Sequence, residues 1–422
     1  MNHPKMRYTY VGIDSHKETH TAVFLDCFFD KLGEITFENL PSKYGAFLND
    51  ARLFQAEGTT LLFGLEDASS FGRSLAVFLT GNAQQVKHVN SLLVARERKN
   101  QNITQKTDSV DAECAARVLL SKFGELPDAD PQDKHWILRT LVVQRDFIVK
   151  SNTRSKMTLH ALLTQHYPNY RKFFAYIDGK TSLAFFKKYP SPSTLKGVSK
   201  QELADFILAE SSDRFGEDKA GLILSSLENT GAAYQQFRDD AVRSTIRQIE
   251  FNMEEIGRLE LSMEVYLGSF DCTLTGMAGI GVVSACQLLS CIGDVKRFPT
   301  AAKLARYAGI APVTYASGQK DKQYANQRGN RELNSLFYAL AVRLTSPTGP
   351  NNKIINQFFY DYFHRKQAEG KTNRQALKCV ERWLVNIVWA MLTNNEEYVN
   401  PPVLGMPGAG EKKDCVSTVD KV

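Results

Sequence analysis

The sequence lacks several patterns that would assign it to a class of proteins from composition alone. No apolar run approaches the length of about 18 residues that suggests a membrane span, and the start, MNHPKMRYTY, has no apolar signal region. The 7 cysteines are odd in number and form no CxxC pair and no Cys/His cluster with zinc spacing. We therefore expect a cytoplasmic protein whose cysteines are reduced and buried.

The excess of charge of one sign is also small. The 52 Lys and Arg residues exceed the 46 Asp and Glu residues by a net charge of +6. Such an excess does not by itself indicate a polyanionic partner, because basic side chains attract nucleic acid only where they cluster. The chain does have length, since 422 residues with 43% hydrophobic content suffice for two or three domains with buried cores.

The N-terminal part of the chain, residues 1–125, alternates between strand and helix patterns. Runs of β-branched and aromatic residues predict strands, and apolar residues at helical spacing predict helices. Ser42 is a candidate N-cap for the first helix. The order favours an α/β domain whose sheet combines an antiparallel hairpin with parallel inner strands. The predicted strands are 8–14, 19–26, 34–40, 60–66 and 85–90, and the predicted helices are 42–57, 71–80 and 108–123.

The remainder of the chain is mostly helical in pattern. A long helix is predicted at 136–165, with Arg139, Lys150 and Arg154 on one face. Apolar residues at 242–267 recur in steps of three and four, which predicts a coiled coil formed either with that helix or with a second chain.

These patterns suggest how the rest of the chain is divided. We expect a helical and coiled-coil region, a mainly α C-terminal domain that includes helices at 353–368 and 373–392, and a loose tail. The segment 168–235 gives no pattern to which we can assign a role. The predicted divisions are 131–268, 270–395 and 396–422.

Four acidic residues lie where the predicted domain would bring them together. Asp14 and Glu66 end two predicted strands, and Asp108 and Asp111 share one face at the start of a helix. Taken singly, each has a structural interpretation, with Asp108 as a helix N-cap and Asp111 as a favourable first-turn charge. Together they occupy the acidic positions of a ribonuclease-H-like topology and would repel each other unless cations lay between them. The combination predicts a metal site for phosphoryl transfer.

The first of these motifs, GIDSHK, also resembles the phosphate loop of sugar kinases and actin-like ATPases. Such a loop needs a glycine turn after the Asp so that backbone N–H groups can approach a phosphate. Ser15, His16 and Lys17 stand there instead, which argues against the kinase interpretation.

Two segments of the C-terminal domain carry further candidates. MAGIGVVSACQ resembles a helix–hairpin–helix with Gly279 and Gly281 in the turn, although a plain glycine turn between core helices gives the same pattern. Ser317 precedes Gly318 in a loop that is followed by the basic residues Lys320, Lys322, Arg328 and Arg331. A serine before a glycine is often only a turn residue, and no His lies nearby in the sequence to act as its base.

Taken in order, these motifs identify a family. GIDSHK, the Glu of LLFGLEDAS, KTDSVDA, the GIG turn, APVTYASG and QRGNREL resemble the motifs of the DEDD transposases of bacterial insertion sequences, which include the Piv-type DNA invertases. Two positions depart from the family pattern. Asp67-Ala68-Ser69 replaces the usual Thr-Gly-aromatic after Glu66, and Gln327 replaces a frequent Lys.

The resemblance implies a two-part active site. Asp14, Glu66, Asp108 and Asp111 match the metal-binding DEDD set, for Mg²⁺ or Mn²⁺, and Ser317 matches the nucleophilic serine. It also implies donor and target DNA, a structured non-coding bridge RNA and a homo-oligomer, a dimer or tetramer, as partners. Lys87, Arg96, Arg98 and Lys99 are further candidates for contacts with the nucleic-acid backbone. The positions expected to bind nucleic acid within the motifs are Lys17, Lys106, Gly279, Gly281, Gly318, Lys320, Arg328 and Asn330.

Two other functions remain open from the residues. A nuclease resembling Holliday-junction resolvases would use a metal-bound water, with Ser317 as a bystander. A non-catalytic nucleic-acid-binding protein would keep the fold without using the carboxylates.

Overall fold

The structure is a computed structural model. It describes residues 3–66, 70–129, 134–212, 214–228, 233–317, 320–324, 326, 329–349 and 351–399, with backbone only for 314–317 and 320–324. The chain divides into two compact units, Met1–Ile137 and Leu138–Val422.

The first unit contains a five-stranded mixed sheet. The strand order is β3-β2-β1-β4-β5, in which β1, β2 and β3 pair antiparallel while β4 pairs parallel with both β1 and β5. This confirms the predicted combination of an antiparallel hairpin and parallel inner strands. The elements are β1 (Tyr8–Ser15), β2 (Thr19–Leu25), β3 (Lys31–Glu38), α1 (Pro41–Ala51), β4 (Thr60–Leu65), α2 (Arg73–Gly81), β5 (Gln85–His88), α3 (Ser91–Asn100) and α4 (Asp108–Lys122).

Helices cover both faces of this sheet. Successive side chains of a strand point to opposite faces, so Val11 and Ile13 of β1 pack with α1 and α2, whereas Tyr10 packs with α3 and α4. Both faces of β1 are therefore buried, and it is a central strand of a three-layer domain.

Gly12 allows α4 to lie directly against β1. A Cβ atom at Gly12 would stand 2.2 Å from the backbone oxygen of Ala112 and from the backbone nitrogen of Ala116. No side chain fits at that distance, and the helix approaches the strand backbone as closely as sterics allow. This close packing places the first turn of α4 beside the end of β1.

Some predicted details of the first unit are wrong. Ser42 does not cap α1, because Pro41 occupies the first helical turn and Leu40 stands at the N-cap without a side-chain hydrogen bond. The helix α3 was not predicted, since its apolar residues are few and only Val94 is buried. Asp108 is not an N-cap either, because Thr107 caps α4 by accepting a hydrogen bond from the backbone N–H of Val110.

The second unit is mostly helical, as predicted. Its helices are α5 (Lys134–His166, which begins in the first unit), α6 (Lys180–Lys188), α7 (Lys200–Ser211), α8 (Glu217–Ser225), α9 (Gln235–Leu267), α10 (Val282–Ile292), α11 (Ala301–Tyr307), α12 (Arg331–Thr345), α13 (Gln357–Ala368) and α14 (Asn373–Asn394).

Two long helices, α5 and α9, run antiparallel. Near the C-terminal end of α5, Leu159 packs in one core with Val242 of α9, whereas Leu138 packs in another core with Met263. Between these cores the Arg145 guanidinium donates two hydrogen bonds, of 3.0 and 2.7 Å, to one carboxylate oxygen of Glu260. Of the two predicted coiled-coil partners, the helix within the chain is thus present.

The described residues of the segment 168–235 form a folded part of the second unit. Its helices α6, α7 and α8 bury Phe185, Leu203 and Ile223 in the same core as α9. Aromatic rings dominate this core, and Phe173, Phe185 and Phe186 lie within 6.3 Å of one another, centroid to centroid. The lack of a recognised pattern therefore did not mean a lack of structure.

A short hairpin lies between α11 and α12. Its strands β6 (Val313–Ser317) and β7 (Lys320–Tyr324) pair antiparallel, with Ser317 opposite Lys320. At its base, two backbones touch, because a Cβ atom at Gly329 would stand 2.3 Å from the Cα of Gly309.

The segment expected to form a helix–hairpin–helix has only one full helix. A single 3-10 turn, Leu274–Gly276, precedes Gly279, and α10 follows it. Gly279 has a φ of 99°, and a Cβ there would come within 2.5 Å of the Leu344 side chain. The turn thus packs against α12, as in the alternative interpretation of a glycine turn between core elements.

The expectation of buried cysteines holds for Cys114, Cys286 and Cys291, whereas Cys27, Cys272 and Cys379 are partly exposed. Six cysteines are described and all are free thiols. Burial raises the pKa of Cys114, Cys286 and Cys291 to about 11. Within the described residues, no helix is both long and apolar enough to cross a membrane.

Candidate metal centre and catalytic residues

The strand ends of the sheet bring two of the four predicted carboxylates together. Asp14 lies near the end of β1, and Glu66 directly follows β4. The two strands are parallel neighbours, and the backbone N–H of Glu66 donates to the carbonyl of Ile13 over 3.3 Å. Parallel strands that end side by side open onto one edge, where ligands bind in such sheets.

The first turn of α4 supplies the other two carboxylates. Asp111 is 6% exposed, whereas the Asp108 side chain is 56% exposed. The contact of α4 with Gly12 holds this turn next to Asp14. Both acids also lie in the first turn of α4, at the positive end of the helix dipole.

The pKa values of the two strand residues reflect this convergence. Burial raises the pKa of Asp14, and the charges of Asp111 and Asp108 raise it further, although His16 opposes them. Burial likewise raises the pKa of Glu66, against a hydrogen bond with Ser91, and the charges of Asp14 and Asp111 add to the rise. Asp14 therefore lies within electrostatic range of Asp108 and Asp111, and Glu66 lies within range of Asp14 and Asp111.

His16 bridges two of these acids. Its Nε2 atom is 3.0 Å from an oxygen of Asp14 and 3.2 Å from an oxygen of Asp108. One donor atom from each of the three residues lies within 4.8 Å of the others, which is close enough to hold one metal ion. His16 belongs to the GIDSHK motif, but no pattern in the sequence indicated that it is a ligand.

Arg98 of α3 contacts the fourth acid. Its guanidinium donates to a carboxylate oxygen of Asp111, and both side chains are mostly buried, with 21% and 9% of their surface exposed. Arg98 was predicted as a contact for a nucleic-acid backbone. Its position instead makes it part of the carboxylate cluster, which could not be anticipated because α3 was not predicted.

The loop after β1 is held in place by Asn39. The Asn39 side-chain amide donates to the backbone carbonyls of His16 and Lys17, and also to that of Phe71. Lys17 and Lys106 are exposed, and the charge of Lys106 lowers the pKa of Glu66. Both lysines remain candidates for contacts with a phosphate backbone.

Lys87, by contrast, forms an ion pair with Asp128 at 2.6 Å. The Lys87 side chain is 19% exposed, so this ion pair belongs to the structure of the first unit.

The structure describes the candidate residues of the second unit only in part, and for Ser317 and Lys320 it describes the backbone alone. Ser317 ends β6, and Lys320 begins β7 directly opposite it. Gly281 is the N-cap of α10, with open space where a Cβ would lie. The predicted Gly318 and Arg328, like the departures at 67–69 and 327, lie outside the described residues.

Asn330 has a structural role that the sequence did not suggest. Its side chain caps α12 by accepting a hydrogen bond from the N–H of Leu333 at 2.9 Å. It also donates to the hydroxyl of Tyr307 over 3.2 Å, while its backbone N–H donates to the Tyr307 carbonyl over 2.7 Å. Gly329 and Asn330 therefore stabilise the base of the hairpin that contains Ser317.

The donor set fits a hard divalent cation. Carboxylate oxygens are the preferred ligands of Mg²⁺ and Mn²⁺, and buried acids that repel one another gain most from a cation placed between them. Burial is the main cause of the raised pKa values of Asp14 and Glu66, and the neighbouring carboxylates add to it. The imidazole of His16 adds one nitrogen donor, which Mn²⁺ accepts more readily than Mg²⁺.

Comparisons with known proteins agree with this site. A family model described as the DEDD transposase of IS110 matches residues 11–168, and one described as the transposase of the IS116/IS110/IS902 family matches residues 272–353. The first match contains all four carboxylates, and the second contains Ser317.

Curated relatives span most of the chain. A 44.8 kDa protein of the insertion element IS116 of Streptomyces clavuligerus is 25% identical over 93% of this chain and 96% of its own length. A 43.6 kDa protein of IS110 of Streptomyces coelicolor is 28% identical over 69% of this chain and 72% of its own length. The pilin gene-inverting protein of Moraxella bovis is 22% identical over 93% of this chain and 98% of its own length. The two family matches, with relatives that span most of the chain, show that the chain belongs to the transposase family of IS110- and IS116-type insertion elements.

Proposed function

We propose that the chain is a site-specific DNA recombinase that holds Mg²⁺ or Mn²⁺ with Asp14, Glu66, Asp108 and Asp111 and attacks a DNA phosphate with Ser317. The observation that carries the proposal is the approach of Asp14, His16 and Asp108 to within 4.8 Å of one another. Asp111 lies in the same helical turn as Asp108, and Glu66 follows the strand next to that of Asp14. A ribonuclease-H-like fold for residues 1–125 is part of the proposal. The 3-2-1-4-5 strand order, with three antiparallel strands before two parallel ones, supports that fold.

The metal would be held by oxygens of the four carboxylates, with His16 in reach of Asp14 and Asp108. A divalent cation there would polarise the scissile phosphate and offset the charge on its oxygens. The burial of Asp14 and Asp111 and the close packing of α4 on Gly12 would hold these two ligands in position. Lys17 and Lys106, which are exposed, would contact the DNA backbone on either side.

Ser317 would supply the nucleophile. Its Oγ forms a bond to phosphorus, and the bond between phosphorus and a deoxyribose oxygen breaks. The serine proton passes to a base, because a free hydroxyl is a weak nucleophile, and the departing sugar oxygen takes up a proton. The phosphoserine ester retains the energy of the phosphodiester. A new sugar hydroxyl can therefore attack it and rejoin the strand without ATP.

We also propose that a structured bridge RNA directs the choice of DNA and that the active protein is a homo-oligomer. The family resemblance of the motifs supports both. The test is whether purified protein retains a discrete RNA, which is then sequenced. If removal of that RNA left recombination unchanged, the RNA would not be a guide.

The serine mechanism is tested by trapping a covalent adduct. Labelled DNA carrying the element's ends is incubated with protein and Mg²⁺, and the reaction is stopped by denaturation. We expect a protein–DNA adduct with wild type and with Ser335→Ala, an exposed serine of α12. We expect none with Ser317→Ala. An adduct that survives Ser317→Ala would overturn the serine mechanism.

Two results, one from this experiment and one from a recombination assay, would favour the other functions. Cleavage without any adduct would support a resolvase-like nuclease in which water attacks the phosphate. Recombination that persists in Asp14→Ala would make the carboxylates structural. That result would favour a protein that binds nucleic acid without catalysing strand transfer.

A further inference from the structure

We infer that residues 174–182, 210–212, 214 and 215 form a second nucleic-acid site, a cleft that binds the phosphate and base of an unpaired nucleotide. The cleft lies in the second unit, at the start of α6 and the end of α7. Neither family match covers residues 169–271. The inference does not depend on the carboxylate cluster or on Ser317.

Two adjoining cavities form the cleft. Their volumes are about 390 and 370 Å³, and both are lined by Phe174, Ala175 and Ser182. The first is bounded by the start of α6 and the loop after α7, and the second by His160, Tyr170 and Arg171. Together they are large enough for a nucleotide, since small-molecule pockets measure about 300–1,000 Å³.

The start of α6 offers hydrogen-bond donors to an anion. Gly179 is the N-cap, and no side chain caps the helix. The backbone N–H groups of Lys180, Thr181 and Ser182 have no acceptor within the helix, because intrahelical bonding begins with the N–H of Leu183. Unpaired N–H groups and the helix dipole together form an anion site.

Ser182 gives an independent indication of a ligand. It is 1% exposed, lines both cavities, and its hydroxyl has no hydrogen-bond partner among the described residues. A buried hydroxyl without a partner is costly, and in native proteins nearly all such groups are satisfied. A phosphate oxygen at the start of α6 would accept its hydrogen bond.

The charges and rings around the cleft match a nucleotide rather than a free anion. Lys180 and Arg214 are exposed at the first cavity, where Glu210 is the acidic residue among the described lining. Tyr176 is 76% exposed and Phe215 is 37% exposed at the same cavity. Basic residues interleaved with exposed rings are typical of sites where unpaired bases stack beside a backbone held by cations.

The test measures binding of full-length protein to labelled oligo(dT), oligo(U) and duplex DNA of about 12 nucleotides, a length that spans one site. Fluorescence anisotropy is recorded in EDTA, so that the metal centre does not contribute. For the double variant Lys180→Gln/Arg214→Gln we expect Kd for single strands to rise about tenfold, with a shallower salt dependence. For Tyr176→Ala we expect a rise of about fivefold or more for single strands and little change for duplex.

The matched control is Lys196→Gln/Arg247→Gln, which removes the same charge from two exposed residues that line neither cavity. Photocrosslinking with 4-thio-substituted oligo(dT) and oligo(U) should map to residues 174–182 or 210–215. Tighter binding of oligo(U) or of oligo(dT) than of duplex supports the site. The tighter of the two single strands identifies the ligand as RNA or DNA.

Three results would overturn the inference. The first is an equal rise in Kd for the two double variants. The second is crosslinks only outside these segments. The third is a larger loss of affinity for duplex than for single strands in the cleft variants. None of them bears on the adduct formed by Ser317, so failure of the cleft and failure of the recombinase proposal are distinguishable. Conversely, loss of the adduct with cleft binding intact would leave this site standing.

Discussion

Asp14 lies in a strand that is covered on both faces, and only 7% of its surface is exposed. Its neighbours at this edge of the sheet include Asp108 and Asp111, whose charges add to the effect of burial in raising its pKa. His16 and Arg98 partly offset this cluster of negative charge, through Asp14 and Asp108 in one case and through Asp111 in the other. Substitutions of Asp14 and of Arg98 should therefore change stability in opposite directions, and they should also change metal binding in opposite directions.

Asp14→Asn should stabilise the metal-free protein and abolish its stabilisation by metal. A carboxyl whose pKa is raised on folding binds its proton more tightly in the folded state, so its contribution to stability falls as pH rises through that pKa. At neutral pH the amide removes this cost, and we expect Tm in EDTA to rise by about 2 °C. Thermal unfolding with and without Mn²⁺ measures both effects.

The control for this variant is Asp50→Asn, at an exposed carboxylate of α1. It should leave both Tm and the response to Mn²⁺ unchanged. In wild type, Mn²⁺ affinity should weaken as pH falls toward the raised pKa values of Asp14 and Glu66, because protons then compete with the metal. A lower Tm for Asp14→Asn in EDTA would contradict the account of repulsion.

Arg98→Gln should have the reverse effect on stability. Loss of its contact leaves the buried Asp111 without a cation, and we expect the free energy of unfolding in EDTA to fall by about 1–3 kcal/mol. Mn²⁺ should then bind more tightly, because the guanidinium no longer competes for Asp111. Calorimetric titration and denaturation measure the two effects. Arg96→Gln, an exposed arginine on the same helix, should change neither, and weaker Mn²⁺ binding by Arg98→Gln would refute the competition.

At the scale of elements, the contact between α4 and β1 determines the geometry of the carboxylates. Three of the four acids lie on these two elements, and Gly12 is the point where the elements touch. Any residue that separates them would move Asp108 and Asp111 away from Asp14.

Gly12→Ala should therefore reduce both stability and metal binding. The added methyl group would stand 2.2 Å from backbone atoms of Ala112 and Ala116, which cannot move independently of the helix. We expect a loss of about 1–3 kcal/mol in the free energy of unfolding, measured by chemical denaturation. Gly45→Ala, within α1 where a Cβ meets nothing, should instead be neutral or stabilising by up to about 1 kcal/mol. Equal effects of the two substitutions would contradict the packing argument.

The sequence predicted elements well where periodicity is strong. The five strands and the helices α2, α4 and α5 lie close to their predicted bounds because their apolar residues recur regularly. Local signals failed elsewhere, as with Ser42, which has the chemistry of a cap but follows the Pro41 that begins the helix. The acids were predictable from strand ends and helix starts, whereas Arg98 required a tertiary contact that no spacing encodes.

At the scale of the whole molecule, the long helices α5 and α9 retain apolar surface after pairing with each other. Val143 and Phe147 of α5 are 51% and 65% exposed, and Leu261 and Val265 of α9 are 64% and 81% exposed. Each pair is separated by one helical turn, so its members share a face. Exposed apolar residues in register along a helix are typical of an interface.

We expect these faces to join copies of the chain. Phe147→Glu/Leu261→Glu should shift the protein to a lower oligomeric state by at least one step, because burying the carboxylates would cost more than the contact contributes. Sedimentation velocity measures the state. Leu53→Glu/Leu92→Glu, at two residues of the first unit that are 81% and 68% exposed, should leave it unchanged. A wild type that sediments as a monomer would contradict the expectation.

The crossing of Gly309 and Gly329 has a consequence for how the hairpin can vary. The two backbones meet with no side chain between them, and Asn330 fastens the crossing to Tyr307 through its main chain as well as its side chain. The contact between Gly309 and Gly329 and the hydrogen bonds of Asn330 therefore hold the base of the hairpin in place. A change of sequence within β6 or β7 would then leave the point from which the two strands emerge where it is.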